Sequence, residues 1–369
     1  DEEKSIIKAF REKDLSRNKA WKRINSQDEE KVMPPPESHK KLTADEIAKI
    51  GACIKAGASG QGHWSYITPK IPGLPAVTNK AWTKNPIDHF LLASLERNQL
   101  KPSSEAEKEM LIRRVSLDLR GLPPSIKEID EFLADKSPAT YEAMVDRMLA
   151  SPHYGERMAL AWMDAARYGD SSVFHADGPR DMWPWRDWVI RAYNSNKPFD
   201  KFSIEQLAGD LLPGATLAQR IATGFHRTPT CNVEAGVHPE SNRINQVVDR
   251  VNTTGTVFLG TTLECAQCHD HKHDPFTMDD YYRMFAFFNN TPLEVKQQGK
   301  GVTWNFYGPA LSLPLSPEKQ AQRARLQAQL DACEVEEEAT QLRKQLKAIR
   351  PHTTLVMEEL ARPRDTHLL

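Results

Sequence analysis

The chain has 369 residues, with 49 basic and 50 acidic side chains and a net charge of −1. That balance gives no general attraction to nucleic acid, and no basic stretch with interleaved aromatics supplies a local one. Its 8 Trp, 8 Tyr and 13 Phe exclude wholesale disorder, and no segment approaches the roughly 20 apolar residues that a membrane-spanning helix needs.

Residues 1–32 are charged with apolar residues at helical spacing, Ile6, Ile7 and Phe10 and then Trp21 and Ile24, before a break at Met33-Pro34-Pro35-Pro36. Thr43 to Glu46 is a capping box opening a helix through Ile47, Ile50, Cys53 and Ile54, with Gly57 suited to its C-terminal cap. Residues 61–84, with Pro69, Pro72 and Pro75, read as a linker. Asn85-Pro86 caps the next helix, whose stripe is Ile87, Phe90, Leu91 and Leu95. Ser104 to Glu107 reads as a second capping box, leading to Leu111, Val115 and Leu119 before Gly121, and Ser125 opens a short helix with Ile129, Phe132 and Leu133.

Helical periodicity continues over 138–150, 154–168, 183–195, 215–225, 243–255 and 279–289, and strand alternation shows only near 302–312. Over 317–350, Leu326, Leu330 and Cys333 and then Val335, Ala339, Leu342, Leu346 and Ile349 repeat at coiled-coil spacing with a phase shift, as in a helix pair or one interrupted helix. The chain is thus expected to be mainly α: an irregular multi-helix domain with long loops over 85–295, short strands over 296–316, a coiled-coil-like segment over 317–350, and the start of a further domain over 351–369. It begins at Asp1 with no apolar leader and ends without a closing element, so it reads as a piece of something longer.

Five cysteines are too sparse for a disulfide scaffold. Two of them form Cys265-Ala266-Gln267-Cys268-His269, the c-type haem attachment pattern. Its thiols, one turn apart, can both reach the porphyrin, and the adjacent imidazole can face the iron as proximal ligand. The aromatic run Tyr281, Tyr282, Phe285, Phe287 and Phe288 offers an apolar shell, and His226, His238, His175 and Met278 are candidates for the sixth position. The alternative is zinc on Cys265, Cys268 and two of His269, His271 and His273.

A second dense stretch holds Trp162, Asp164, Arg167, Asp170, His175, Trp183, Trp185, Asp187 and Trp188. Asp164, Arg167, Asp170 and Asp187 are expected to line a polar pocket near 265–273, with His226, His271 and Asp274 as further polar-site residues. Such aromatics beside carboxylates could bind a sugar or a cation or wall a haem; equally, the tryptophans could be core and the charges structural bridges.

A set of segments resembles the large planctomycete-type cytochrome c proteins: Asn85-Pro86-Ile87-Asp88, Arg114-Val115-Ser116-Leu117-Asp118-Leu119-Arg120-Gly121-Leu122-Pro123-Pro124, Ser151-Pro152-His153-Tyr154-Gly155-Glu156-Arg157, Trp185-Arg186-Asp187-Trp188-Val189, Gly224-Phe225-His226-Arg227 and Cys265 to Lys272. In these, a small cytochrome-c-like domain precedes a larger helical domain of unknown function with its own Cys-x-x-Cys-His. The resemblance implies that residues 1–60 are the C-terminal part of the small domain, with Met33 as its distal haem ligand. The matching upstream Cys-x-x-Cys-His is absent, and Cys53 stands where the family has Trp. The reading is a haem-c-bearing protein of the periplasm or cell surface, engaged in electron transfer with a redox partner that the sequence does not identify. The alternatives are a surface oxidoreductase or hydrolase acting on polysaccharide, or a zinc- or cation-stabilised structural module.

Overall fold

The computed structural model describes residues 12–56, 64–171, 177–232, 238–292, 295–297, 304–306 and 308–365. The expectations for Ile6, Ile7, Phe10, Gly57 and His175 fall outside the described residues. The chain divides into two compact units: residues 1–104 with 272–274, and residues 105–271 with 275–369.

The first unit contains three α-helices among its described residues: α1 (Lys19–Ile24), α2 (Ala44–Ala56) and α3 (Pro86–Arg97). Asn18 caps α1 by accepting from the Trp21 amide. Thr43 and Glu46 exchange the reciprocal bonds of a capping box at the start of α2, as expected. Trp21 lies so close to Gly51 that a Cβ there would fall 2.8 Å from the indole, so glycine is the residue that admits the ring. Ile54 is fully buried, whereas Trp21, Ile24, Ile47 and Ile50 are half-buried. Asn85 caps α3 in a box with Asp88. The expected stripe on α3 does not face inward: Ile87, Phe90 and Leu91 are exposed and Leu92 is the buried residue.

The second unit is also mainly helical: α4 (Lys108–Arg120), α5 (Ile126–Ala134), α6 (Thr140–Leu149), α7 (Pro152–Ala165), α8 (Trp183–Asn194), α9 (Phe199–Ala208), α10 (Leu217–Ala222), α11 (Pro239–Thr254), α12 (Met278–Asn289), α13 (Pro317–Asp331) and α14 (Glu336–Ala348). The capping box expected at Ser104 does not form; α4 starts at Lys108 with Glu107 at its N-cap and no side-chain cap. Helix α9 carries no clean periodicity in sequence, yet its Phe202 stacks on Trp188 and meets Trp162 edge-on at the centre of the largest core. That core also holds Met163, Met182, Trp185, Val189 and Phe225. Helices α7 and α8 approach closely because Gly155 has no side chain: a Cβ would fall 2.4 Å from the Ile190 carbonyl, and the Gly155 amide donates to Asn194 Oδ1 at 2.7 Å.

A smaller core joins α4, α5 and α6 through Ile112, Phe132, Met144 and Met148. Beside it the Leu-Arg-Gly-Leu-Pro-Pro segment is locked by side chains. Ser116 donates to the Leu122 carbonyl at 2.6 Å, and Arg120 donates to Ser116 and Glu128. The Arg120 guanidinium is the main reason the Glu128 carboxyl is lowered to about 2. Among the described residues the strands form two antiparallel ribbons, β1 (Val295–Gln297) with β2 (Trp304–Phe306) and β3 (Ala310–Ser312) with β4 (Thr353–Leu355). Helices α13 and α14 pack as a pair, with Leu326 and Ala339 buried at the seam and Val335 exposed at the α14 N-cap.

Candidate functional site

Helix α11 leads into the cysteine motif through a π-turn at Gly255–Leu259, which ends at Gly260 in the left-handed conformation, φ 62°. A side chain at Gly255 would strike Leu263, with Cβ atoms 2.8 Å apart, so the chain can fold back here only on glycine. It then enters a 3₁₀ turn, Leu263–Gln267, with Cys268 as its C-cap. Three residues per turn eclipse positions i and i+3. Leu263 and Ala266 accordingly share the inner face, 2% and 0% exposed, packed in a core with Val247, Val251, Tyr281 and Phe285. Cys265 and Cys268 share the outer face; both are exposed and neither is in a disulfide.

His269 follows at once and is exposed, and its Nδ1 lies 2.8 Å from the Asp270 carbonyl. With Nδ1–H donating to that oxygen, Nε2 carries the lone pair. The surrounding loop is tied down by its own neighbours. Tyr282 donates to the Gln267 carbonyl at 3.1 Å, the His271 amide to Phe276 at 2.8 Å, and the Met278 amide to the Asp270 carboxylate at 3.0 Å. Asp270 and His271 therefore hold the loop in shape. Lys272, His273 and Asp274 are grouped with the first unit. Among the described residues no three His, Cys, Asp or Glu side chains come together to hold a metal ion.

A second polar assembly lies in the interior of the same unit, where sequence reasoning did not look. Arg180, Arg227 and Arg250 are 4%, 2% and 0% exposed. Their partners are mostly backbone carbonyls. Arg180 donates to the carbonyls of Arg227, Thr228 and Pro229, and Arg250 to that of His226. The stretch 226–229 is buried but is not in a long helix or strand, so its carbonyls need donors from elsewhere. A guanidinium offers five. Arg227 in turn reaches the carbonyls of Pro309 and Val356, at 2.8 and 2.7 Å, and fastens the ribbon and the following strap to the core. Burial is the main influence lowering the pKa of all three arginines. Burial likewise raises that of Cys231, the thiol beside them.

The other expected site residues are spread over this frame. Arg167 is left-handed, φ 52°, just past the end of α7, and pairs with Asp249, Nε to Oδ2 at 2.7 Å, while also donating to Thr228. Asp170 accepts from the Tyr168 hydroxyl at 2.5 Å, and Asp187 pairs with Arg186 at 2.9 Å; burial first, then Asp170, raises the Tyr168 hydroxyl. Asp164 is exposed. Trp185 and Trp188 are core residues. His226 is fully buried against Phe225 and Phe288, and burial, with Arg250 and Arg167 nearby, holds its pKa well below 6.5, so it is neutral. It meets α12 at Phe288, near the helix C-terminus, whereas the cysteine turn packs on Tyr281, Tyr282 and Phe285. His238 caps α11 through Nδ1. In the first unit Met33 is 41% exposed, in the loop between α1 and α2. Asp249, Arg180, Arg250 and Thr228 were missed because isolated arginines and a lone aspartate on a helix carry no spacing signal; only Arg227, in Gly-Phe-His-Arg, stood within a recognisable segment.

A family model described as PSCyt2, protein of unknown function (DUF1549), matches residues 86–292, more than half of the chain. The chain belongs to the PSCyt2 family. No curated protein and no solved structure matches it. The matched PSCyt2 span contains both the cysteine turn and the buried arginines, and ends three residues after α12. In PSCyt2 terms, the segments that carried the resemblance serve distinct structural ends here. Gly155 permits the α7–α8 contact, and Gly224, whose Cβ would fall 2.7 Å from that of Trp185, lets the turn pack on the indole.

Proposed function

We propose that the Cys265–His269 turn of this PSCyt2 domain attaches haem c and that the protein transfers electrons outside the cytoplasm. The observation that carries this reading is the arrangement of three donors. Two exposed, unpaired thiols stand on one face of a single 3₁₀ turn, followed directly by an imidazole whose Nδ1 is engaged by a backbone carbonyl. Thioether formation needs accessible thiols, and an iron ligand needs a free Nε2 with its partner nitrogen held. Residues Cys265, Cys268 and His269 would hold the group, which supplies a one-electron iron centre when bound.

The polypeptide does the rest. Leu263 and Ala266 anchor the turn from beneath, and the Asp270–Met278 and Tyr282–Gln267 bonds hold its shape on either side of the motif. The Asp270 carbonyl holds the imidazole proton at Nδ1 and keeps Nε2 directed to a ligand role. Residues 1–60 would be the C-terminal part of a small cytochrome-c-like domain, with Met33 as its distal ligand. The test is His269→Ala in protein made in a host with c-type haem maturation, followed by optical spectroscopy. The proposal expects the haem spectrum to change on this substitution; an unchanged low-spin spectrum would exclude His269 as the ligand.

A further inference from the structure

A cavity of about 530 Å³ opens in the second unit between α9, α12 and the strap that follows β4. That size lies within the usual range for small-molecule sites, about 300–1,000 Å³. The strap is fixed rather than loosely laid across. The Val356 amide donates to the Pro309 carbonyl, the Met357 amide to Thr223 Oγ1 and the Leu360 amide to the Asn290 carbonyl, at 3.2, 2.9 and 3.0 Å. The cavity is thus held open by hydrogen-bonded backbone on its strap side.

Its walls are apolar and its rim is acidic. Leu207, Met284, Phe288 and Met357 form the interior, and Phe287, 78% exposed, stands at the mouth. Around them are the carboxylates of Asp210, Asp280, Glu358 and Glu359. Among the described lining residues the one cationic side chain, Arg283, is paired with Asp279 at 2.5 Å. Arg220 lies in the adjoining cavity beyond Asp210 and offsets part of that residue's charge. Asp280 is engaged in the α12 capping box, which leaves Asp210, Glu358 and Glu359 as the acidic side of the site. Burial, with Glu358 and Glu359 nearby, raises the Asp210 carboxyl, which is the response of an acid held among acids in apolar surroundings.

We infer that this cavity binds an organic cation, an apolar body of aromatic or alkyl character bearing an ammonium group. The apolar body would occupy the space over Met284 and Phe288, and the ammonium would lie toward Asp210, Glu358 and Glu359. This site is separate from the cysteine turn, and neither proposal rests on the other.

The experiment uses three probes with one apolar body: 4-phenylbutylammonium, 4-phenylbutan-1-ol and 4-phenylbutyrate, each titrated calorimetrically into the intact chain. The expected order is ammonium tightest, the alcohol weaker by roughly tenfold or more, and the carboxylate without measurable binding. The double substitution Glu358→Gln, Glu359→Gln changes exposed side chains and should bring the ammonium close to the alcohol. Met284→Trp, which fills the space, should abolish binding of both the ammonium and the alcohol. Equal binding of all three probes, an ammonium titration with no heat, or an ammonium affinity untouched by the Glu358, Glu359 double substitution would overturn the inference.

Discussion

The cysteine turn and the buried arginine assembly lie in the same compact unit and use charge and burial in opposite ways. At the turn, two small apolar side chains, Leu263 and Ala266, do the burying, and every reactive group faces outward. In the assembly, Arg180, Arg227 and Arg250 are themselves the buried groups, and they serve irregular backbone that has no ladder of its own. The contrast separates two meanings of an unusual polar residue. An exposed thiol pair on a fixed turn is free to react, whereas a buried guanidinium bonded to carbonyls is committed to holding the chain. Removing a group from the first region should cost chemistry and little stability; removing one from the second should cost stability and little chemistry.

The largest effect is expected from Arg227→Ala. It strips donors from the buried Val356 carbonyl and the half-buried Pro309 carbonyl, and each abandoned group costs about 1–3 kcal/mol, so the total should reach roughly 3 kcal/mol. Urea unfolding would measure the loss, and thiol labelling of Cys265 and Cys268 in the native protein should be unchanged. A large change in labelling would break the separation between the regions. Gly224→Ala follows. Its new methyl would meet the Trp185 side chain at 2.7 Å, in the core and not at a flexible surface, and should destabilise by about 1–3 kcal/mol in the same assay.

Acid provides a third test. Glu128 is held at about 2 in the folded protein against an ordinary value of 4.5, chiefly by Arg120. Its contribution is therefore present above pH 4.5 and is lost as pH falls toward 2. After solvent screening it should be about 1 kcal/mol, and Glu128→Gln should flatten that part of the stability–pH curve. The smallest effect on stability is expected from Cys265→Ser, within about 0.5 kcal/mol, because the side chain is exposed and unbonded to the core. The same substitution should remove one thioether.

Much of the architecture was legible before any coordinates. The capping box at Thr43, the N-cap at Asn85 and the helix opening at Ser125 stand where side-chain chemistry places them. The α13–α14 pair follows its apolar repeat. The failures have physical causes. Helix α9 has a weak amphipathic signal because Phe202, Glu205 and Gln206 are buried together, so polar and apolar residues share its inner face. Glu107 looked like the second half of a capping box but is itself the N-cap, since spacing alone does not fix where a helix begins. In α3, the apolar residues on the exposed side outnumber Leu92 on the buried one.

At the candidate site, the sequence singled out Cys265, Cys268 and His269 because their spacing is itself the signal. It could not reveal that Arg167 pairs with Asp249, 82 residues away, or that Arg180 and Arg250 cap the carbonyls of one loop while Arg227 reaches from it to Pro309 and Val356, because those relations exist only once the chain has folded. The aromatic–acid stretch was legible as dense in Trp, but which tryptophans are core depends on Phe202, from a helix the periodicity did not show.

Covalent attachment of haem at this turn can be read directly from denatured protein. The protein should be produced in a host with c-type haem maturation, denatured, and its mass and haem stain recorded beside those of the Cys265→Ser, Cys268→Ser double variant. One haem should survive denaturation in the wild-type chain and none in the double variant, with both proteins equally folded beforehand. A wild-type chain from that host carrying two unmodified thiols, or a covalent haem that persists in the double variant, would contradict it.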